Sequence, residues 1–319
     1  MPMSNWPGAA LAWLGRQGTR ALAAMVFIGI ALPIGGPLKP YVPEAVFILL
    51  VLSFLRVEPA ALRAHAARPL FLAGVVAWIM IALPALLLFT TRLVGLDKSA
   101  PDLMLAMILQ GTAAPLMSSP AIAALLGLDA ALVLLGMVTC TALLPLIAPL
   151  FFAEFASGVF NLAPITLGLK LFGILSGAVL LATLIRKVAG PTWIARQEQQ
   201  IDGVNVLILF IFVVALMGDV GARAIAQPLL VIGLTLLSFV LSFAFLALTM
   251  LVFAATGWRQ ALALGLMASQ RNMALMIAAA GTGIPDLTWL YFALAQFPIY
   301  LMPQILKPLS SKINAVHAS

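Results

Sequence analysis

Residues 269–276 read SQRNMALM and set Arg271 between Gln270 and Asn272, with Ser269 one residue earlier, inside an otherwise apolar stretch. A guanidinium stays charged at physiological pH, presents five N–H donors in a planar fork and accepts nothing. It can hold an anion, a carboxylate or a group of backbone carbonyls, but it cannot cycle a proton. A second polar cluster, QGTAAPLMSSPA at 110–121, gathers Gln110, Thr112, Ser118 and Ser119 around Pro115 and Pro120. Thr139 and Thr141 follow it. Gln296 and Tyr300 lie one helical turn apart and either border a cavity or bond between helices.

The background makes these residues conspicuous. Of the 319 residues, 64% are hydrophobic and 8% are charged, whereas soluble domains carry about a quarter charged residues. The chain is read as an all-α polytopic membrane protein, because apolar runs of about 20 residues suffice to cross a ~30 Å hydrocarbon core as helix. Its single cysteine, Cys140, lies in an apolar run, which excludes an intrachain disulfide framework and reads as a small buried hydrophobe. The net charge of +7 does not point to nucleic acid, because in a membrane protein the position of each cation matters more than the sum.

Hydropathy and helix breakers predict ten spans, near 20–36, 41–56, 70–93, 103–126, 129–152, 166–186, 202–219, 227–255, 260–282 and 287–308. No cleavage site follows the first run, which is read as a retained span. Alternating the sides puts most of the 17 lysines and arginines on one face: Arg16 and Arg20, Arg56, Arg63 and Arg68, Arg186, Lys187 and Arg196, Arg259, and Lys307 and Lys312. The positive-inside rule makes that face cytoplasmic and places both termini there, in a plasma membrane of the bacterial inner-membrane type. Trp6, Trp193, Trp258 and Trp289 fall near interfaces, where aromatic belts are expected.

Five spans is an odd number, so the halves enter the membrane from opposite sides. The whole of 1–319 is read as one transporter domain made of two inverted repeats, about 17–155 and 160–310. The fourth and ninth spans hold corresponding places, and both are interrupted. Pro115 and Pro120, five residues apart, should open the fourth helix near Ser118 and Ser119, since proline removes a donor and clashes with the preceding turn. Backbone groups freed at membrane depth must face protein or water, and paired broken helices point to a transporter's binding site.

These features resemble the bile acid:sodium symporter family, whose members have ten spans in two inverted five-helix repeats with crossing broken helices in spans 4 and 9. The likeness covers nearly the whole chain. It rests on the short basic loop LRVEPAALRAHAARP, on the run GTAAPLMSSPAIAALLGLDAALVLLGMVTCTALLPLIAPL and on RQALALGLMASQRNMALMIAAAG. Departures concentrate at the ion sites. Met267 stands where sodium-coupled relatives carry a glutamate, Arg271 where they carry a glutamine, and Pro120 where they carry an asparagine; Asn272, Ser118 and Ser119 are retained. A glutamine of span 3, a few residues before a proline like Pro84, has no counterpart. Oxygen ligands for sodium are thus mostly gone.

The acids Glu44, Glu58, Asp97, Asp102, Asp129, Glu154, Glu198, Asp202, Asp219 and Asp286 fall in loops or at span ends, and His65 and His317 in a loop and the tail. No intramembrane group is left to carry protons. A buried guanidinium at this depth costs about 3 kcal/mol or more unless it meets a partner or a wet cavity. Its candidate partners are carbonyls freed at the break, the serines of span 4, or a passing anion.

The reading is therefore a secondary transporter of a small organic anion in a lipid bilayer, working by alternating access and without the usual sodium coupling. Arg271, Asn272, Gln270, Ser269, Ser118, Ser119, Pro120, Thr112 and Gln110 would bind substrate, and Thr139, Thr141, Gln296 and Tyr300 would supply further polar groups. Arg271 either meets substrate or ties span 9 to span 4. Neither a cofactor nor an enzyme activity is expected, because Ser118 and Ser119 have no intramembrane histidine or acid beside them. Two alternatives remain: a sodium-coupled symporter with a variant cation site, and a receptor or scaffold on the same fold that does not transport.

Overall fold

The structure, a computed structural model, describes residues 8–11, 13, 28–30, 35–56, 69–281 and 283–318. Most of the expected first span, Arg16 and Arg20, Trp6, the basic loop with Glu58, Arg63, His65 and Arg68, and the side chain of His317 lie outside the described residues. Among the described residues the chain is helical, with no strand, and the only bridge of β type is an isolated one between Pro115 and Arg271.

Seven helices are long and apolar enough to cross a membrane, which makes this a multi-pass membrane architecture. They are α1 (Gly36–Arg56), α2 (Pro69–Leu93), α5 (Ala130–Phe155), α6 (Pro164–Ala189), α7 (Glu198–Ala226), α8 (Pro228–Val252) and α11 (Asp286–Ile313). Four shorter helices flank the two breaks: α3 (Pro101–Thr112), α4 (Ser119–Leu125), α9 (Trp258–Ser269) and α10 (Met273–Ala280). Prolines begin α2, α3, α6 and α8, where the missing N–H would have no partner in any case. Asp102, Glu198 and Asp286 sit in the first turns of their helices, and Asp129 is the N-cap of α5 and accepts from the amide of Leu132 at 3.0 Å.

The chain divides into two compact units, each drawing on both expected repeats. The first comprises Met1–Val57 and Gly173–Val231, the second Glu58–Phe172 and Ile232–Ser319. In the first unit α1 packs on α7, and their ends are joined by the ion pairs Lys39–Asp219 and Arg56–Asp202. Arg186 closes the last turn of α1 by donating to the carbonyl of Leu55 at 2.6 Å. Gly35 and Gly218 meet backbone to backbone, and a Cβ on Gly218 would come within 2.6 Å of the Gly35 nitrogen, so neither position has room for a side chain.

The second unit holds α2 to α5, α9 to α11, the start of α6 and most of α8. Gly168 of α6 lies against Pro145 and Pro149 of α5, whose two prolines remain within a continuous helix. Arg92 at the end of α2 pairs with Glu154 at the end of α5 at 2.8 Å. Arg259 donates through Nε and Nη2 to the carbonyl of Gly127, just beyond α4, at 3.0 and 2.8 Å. Each pairing joins ends that strict alternation of the spans puts on one side.

The fourth and ninth expected spans are both broken. The fourth opens over Ala113–Ser118, upstream of the point the proline spacing indicates, and restarts at Ser119. Pro115 has no N–H to continue α3, and the amide of Leu116, which would bond to Thr112 in a helix, turns instead to the carbonyl of Gln270 at 2.8 Å.

Candidate functional site at the crossing of two broken helices

The two breaks meet. Pro115 lies opposite Arg271 in an antiparallel bridge whose bonds run from Leu116 N to Gln270 O and from Asn272 N to Ala114 O, both at 2.8 Å. Backbone groups that neither helix can satisfy are thus satisfied by the other break. Asn272 also caps α10, its side chain accepting from the Leu275 amide at 3.3 Å.

Arg271 is only 2% exposed. Its Nη1 donates to the carbonyl of Ala113 at 2.8 Å and to that of Ile79 at 3.2 Å, and Nη2 donates to Ile79 at 3.1 Å. The guanidinium carbon stands 5.0 Å from the centre of the Phe245 ring, in cation–π range. The carbonyl of Ala113 ends α3 and carries the negative pole of that helix.

The carbonyl of Ile79 is free for a reason written in α2. Residues Trp78–Ala82 form a π turn, and the Leu83 amide donates to Trp78 rather than to Ile79. The next amide in line would belong to residue 84, which is proline and has none. An acceptor stripped of both intrahelical donors is met by a donor from another helix. Of the partners open to Arg271, carbonyls were taken and the serines of span 4 were not.

Three polar groups at the crossing have no hydrogen-bond partner: both side-chain polar atoms of Gln270, the hydroxyl of Ser119 and Nε of Arg271. Gln270 and Ser119 are each 0% exposed. Ser118, in contrast, is exposed, and Pro120 sits in the first turn of α4.

The remaining expected site residues spend their donors locally. Thr112, Thr139 and Thr141 donate to the carbonyls of Ile108, Leu135 and Met137, each four residues back. Ser269 donates to Leu266 and Gln296 to Phe292. Gln110 accepts from the buried hydroxyl of Tyr291, which ties α3 to α11. Tyr300 is half-buried in α11.

Met267, fully buried on α9, reaches Gly136 of α5 so closely that an added Cβ there would stand 2.8 Å from its methyl group. A thioether therefore fills the space beside the break. Cys140 is likewise buried. Ile79, Phe245 and Tyr291 are parts of the site that sequence reasoning did not name, although Pro84 in mid-span marks the segment where a carbonyl must go unpaired.

Neither a protein-family model nor a curated protein matches the sequence. The site must be read from its own chemistry. Among the described residues it is a buried crossing with one fixed positive charge, no carboxylate bonded to that charge, and a pair of unmet hydrogen-bonding side chains beside it.

Proposed function

We propose that this protein is a secondary transporter of a small organic anion, and a divergent member of the bile acid:sodium symporter family, with ten spans in two inverted repeats and both termini on the cytoplasmic side of a bacterial plasma membrane. The observation that carries the reading is Arg271. A permanent cation held at the meeting of two broken helices by carbonyls and an aromatic ring, with no acid bonded to it among the described residues, keeps its full charge, and in a low-dielectric surrounding that charge attracts an anion strongly.

The same observation favours transport without sodium. The freed carbonyl oxygens of Ile79 and Ala113 already receive a guanidinium, and a sodium ion at the remaining oxygens of the crossing, those of Gln270 and Ser119, would be repelled by that charge. Arg271 thus does the electrostatic work of a coupling ion without leaving. A carrier of this kind equilibrates its anion or exchanges it for another, driven by gradients and by the membrane potential acting on the net charge moved.

The test is uptake or counterflow of radiolabelled organic anions in proteoliposomes, with external sodium replaced by potassium. Equal rates in the two salts are expected. A steep dependence on sodium would overturn the uncoupled mechanism and return attention to a variant cation site. Ligand binding without flux would favour a receptor on the same fold.

A further inference from the structure

Gln270 and Arg271 are adjacent in sequence and face apart. Gln270 is extended, with φ −93° and ψ 98°, and Arg271 pairs with Pro115 in the bridge, so successive side chains leave on opposite sides. One side takes the guanidinium to α2, α3 and the Phe245 ring. The other takes the amide of Gln270.

That amide is the only side chain among the described residues with two buried polar atoms and no partner for either. Its neighbour in the same condition is Ser119, linked to it through a short relay of main-chain bonds: Ser119 N donates to Leu116 O at 3.0 Å, and Leu116 N donates to Gln270 O at 2.8 Å. Buried amides and hydroxyls are bonded as a rule, because each unmet group keeps its full desolvation penalty. A leucine at 270 and an alanine at 119 would fill these places with nothing left unmet.

We propose a division of labour, resting on the transport reading above: Gln270 and Ser119 bind the ligand, while Arg271 is a positioning residue that holds the break and supplies charge without touching it. The chemistry of the pair specifies the ligand. A primary amide donates twice and accepts, and a hydroxyl does either. Their complement presents an acceptor and a donor on neighbouring atoms. A single unneutralised cation matches one negative charge. A monocarboxylate with a hydroxyl on the adjacent carbon meets both conditions, its carboxylate accepting from the amide N–H and from Ser119, and its hydroxyl donating to Oε1 of Gln270.

The experiment uses the purified full-length protein and four variants, Gln270→Leu, Ser119→Ala, Arg271→Gln and Arg271→Lys. Thermal stability is followed with potassium lactate, propionate, glycolate and acetate at constant ionic strength. Without added carboxylate, Gln270→Leu and Ser119→Ala are expected to melt at or above the wild-type temperature, and both Arg271 variants below it. Lactate should bind more tightly than propionate, and glycolate more tightly than acetate. Gln270→Leu should weaken lactate binding about tenfold or more and abolish the preference.

A lowered melting temperature for Gln270→Leu with the lactate preference intact would make the amide structural and overturn the proposal. Equal binding of hydroxylated and plain acids would overturn the ligand chemistry while leaving anion transport standing. Failure of all four acids to bind, joined to absence of any anion flux in proteoliposomes, would remove the transport reading and this proposal with it.

Discussion

Arg271 and Ile79 are 192 residues apart in the chain, yet both terminal nitrogens of the arginine donate to the one carbonyl oxygen of the isoleucine, at 3.2 and 3.1 Å. The contact couples two irregularities, a π turn in α2 and the break between α9 and α10. Each leaves something the other completes, an acceptor in the first case and a charge in the second.

Removing the donor should therefore be expensive. Arg271→Met is expected to lower stability by about 2–6 kcal/mol, since the carbonyls of Ile79 and Ala113 each lose a charged donor at roughly 1–3 kcal/mol apiece. Arg271→Lys should fall between, because an ammonium keeps the charge but lacks the planar fork that spans two carbonyls. Thermal melts in detergent measure both; a wild-type melting temperature for Arg271→Met would show that the carbonyls are satisfied in some other way.

Pro84 should be coupled to Arg271. In an ordinary helix, replacing proline by alanine stabilises, by about 3 kcal/mol on the intrinsic scale. Here the new N–H would compete for the carbonyls beneath it and draw α2 toward a regular helix, taking Ile79 from the arginine. A double-mutant cycle of Pro84→Ala with Arg271→Gln should give an interaction of about 1 kcal/mol or more. Strict additivity would mean that the π turn and the arginine are independent.

The approach of α9 to α8 can be probed at glycine. A Cβ on Gly265 would stand 2.9 Å from the carbonyl oxygen of Leu246, a main-chain atom that cannot step aside. Gly265→Ala should cost about 1–3 kcal/mol through overpacking. Gly233, also on α8, has open space around it, and Gly233→Ala should be neutral or stabilise by up to about 1 kcal/mol. If both alanines behave alike, the contact between α8 and α9 is looser than described.

Tyr291→Phe removes the hydroxyl that Gln110 accepts from and leaves a buried amide oxygen without its donor. A loss of about 1–3 kcal/mol is expected. Adding Gln110→Leu should restore part of it, because the pair would then be apolar on both sides. No recovery in the double variant would assign the tyrosine hydroxyl a different partner.

The long helices were legible because apolar runs between loops determine spans almost without regard to packing. Several of their ends were legible too: Asp102, Glu198 and Asp286 occupy first turns, and Arg92 with Glu154, and Arg259 with Gly127, join ends that alternation places together. The breaks were visible as proline and polar residues where none belongs. What could not be read was who satisfies whom. A threonine in a sequence looks like a free hydroxyl, but Thr112, Thr139 and Thr141 each bond one turn back. The position of Ser118, exposed while Ser119 is buried, depends on how many residues the break consumes. One acceptor of Arg271, Ala113, is a carbonyl freed at the break, as expected, but the other, Ile79, depended on a π turn in another helix, announced only by Pro84.

The two bonds of the bridge, Leu116 N to Gln270 O and Asn272 N to Ala114 O, are made wholly by main-chain atoms. Any amino acid except proline at 116 or 272 can make them. The crossing is therefore a frame whose geometry does not require particular side chains at 270 or 116, and those positions can be exchanged while the joint itself stays in place. For protein engineering, that makes Gln270 a position open to substitution, and Arg271, anchored in three helices at once, the residue to leave alone.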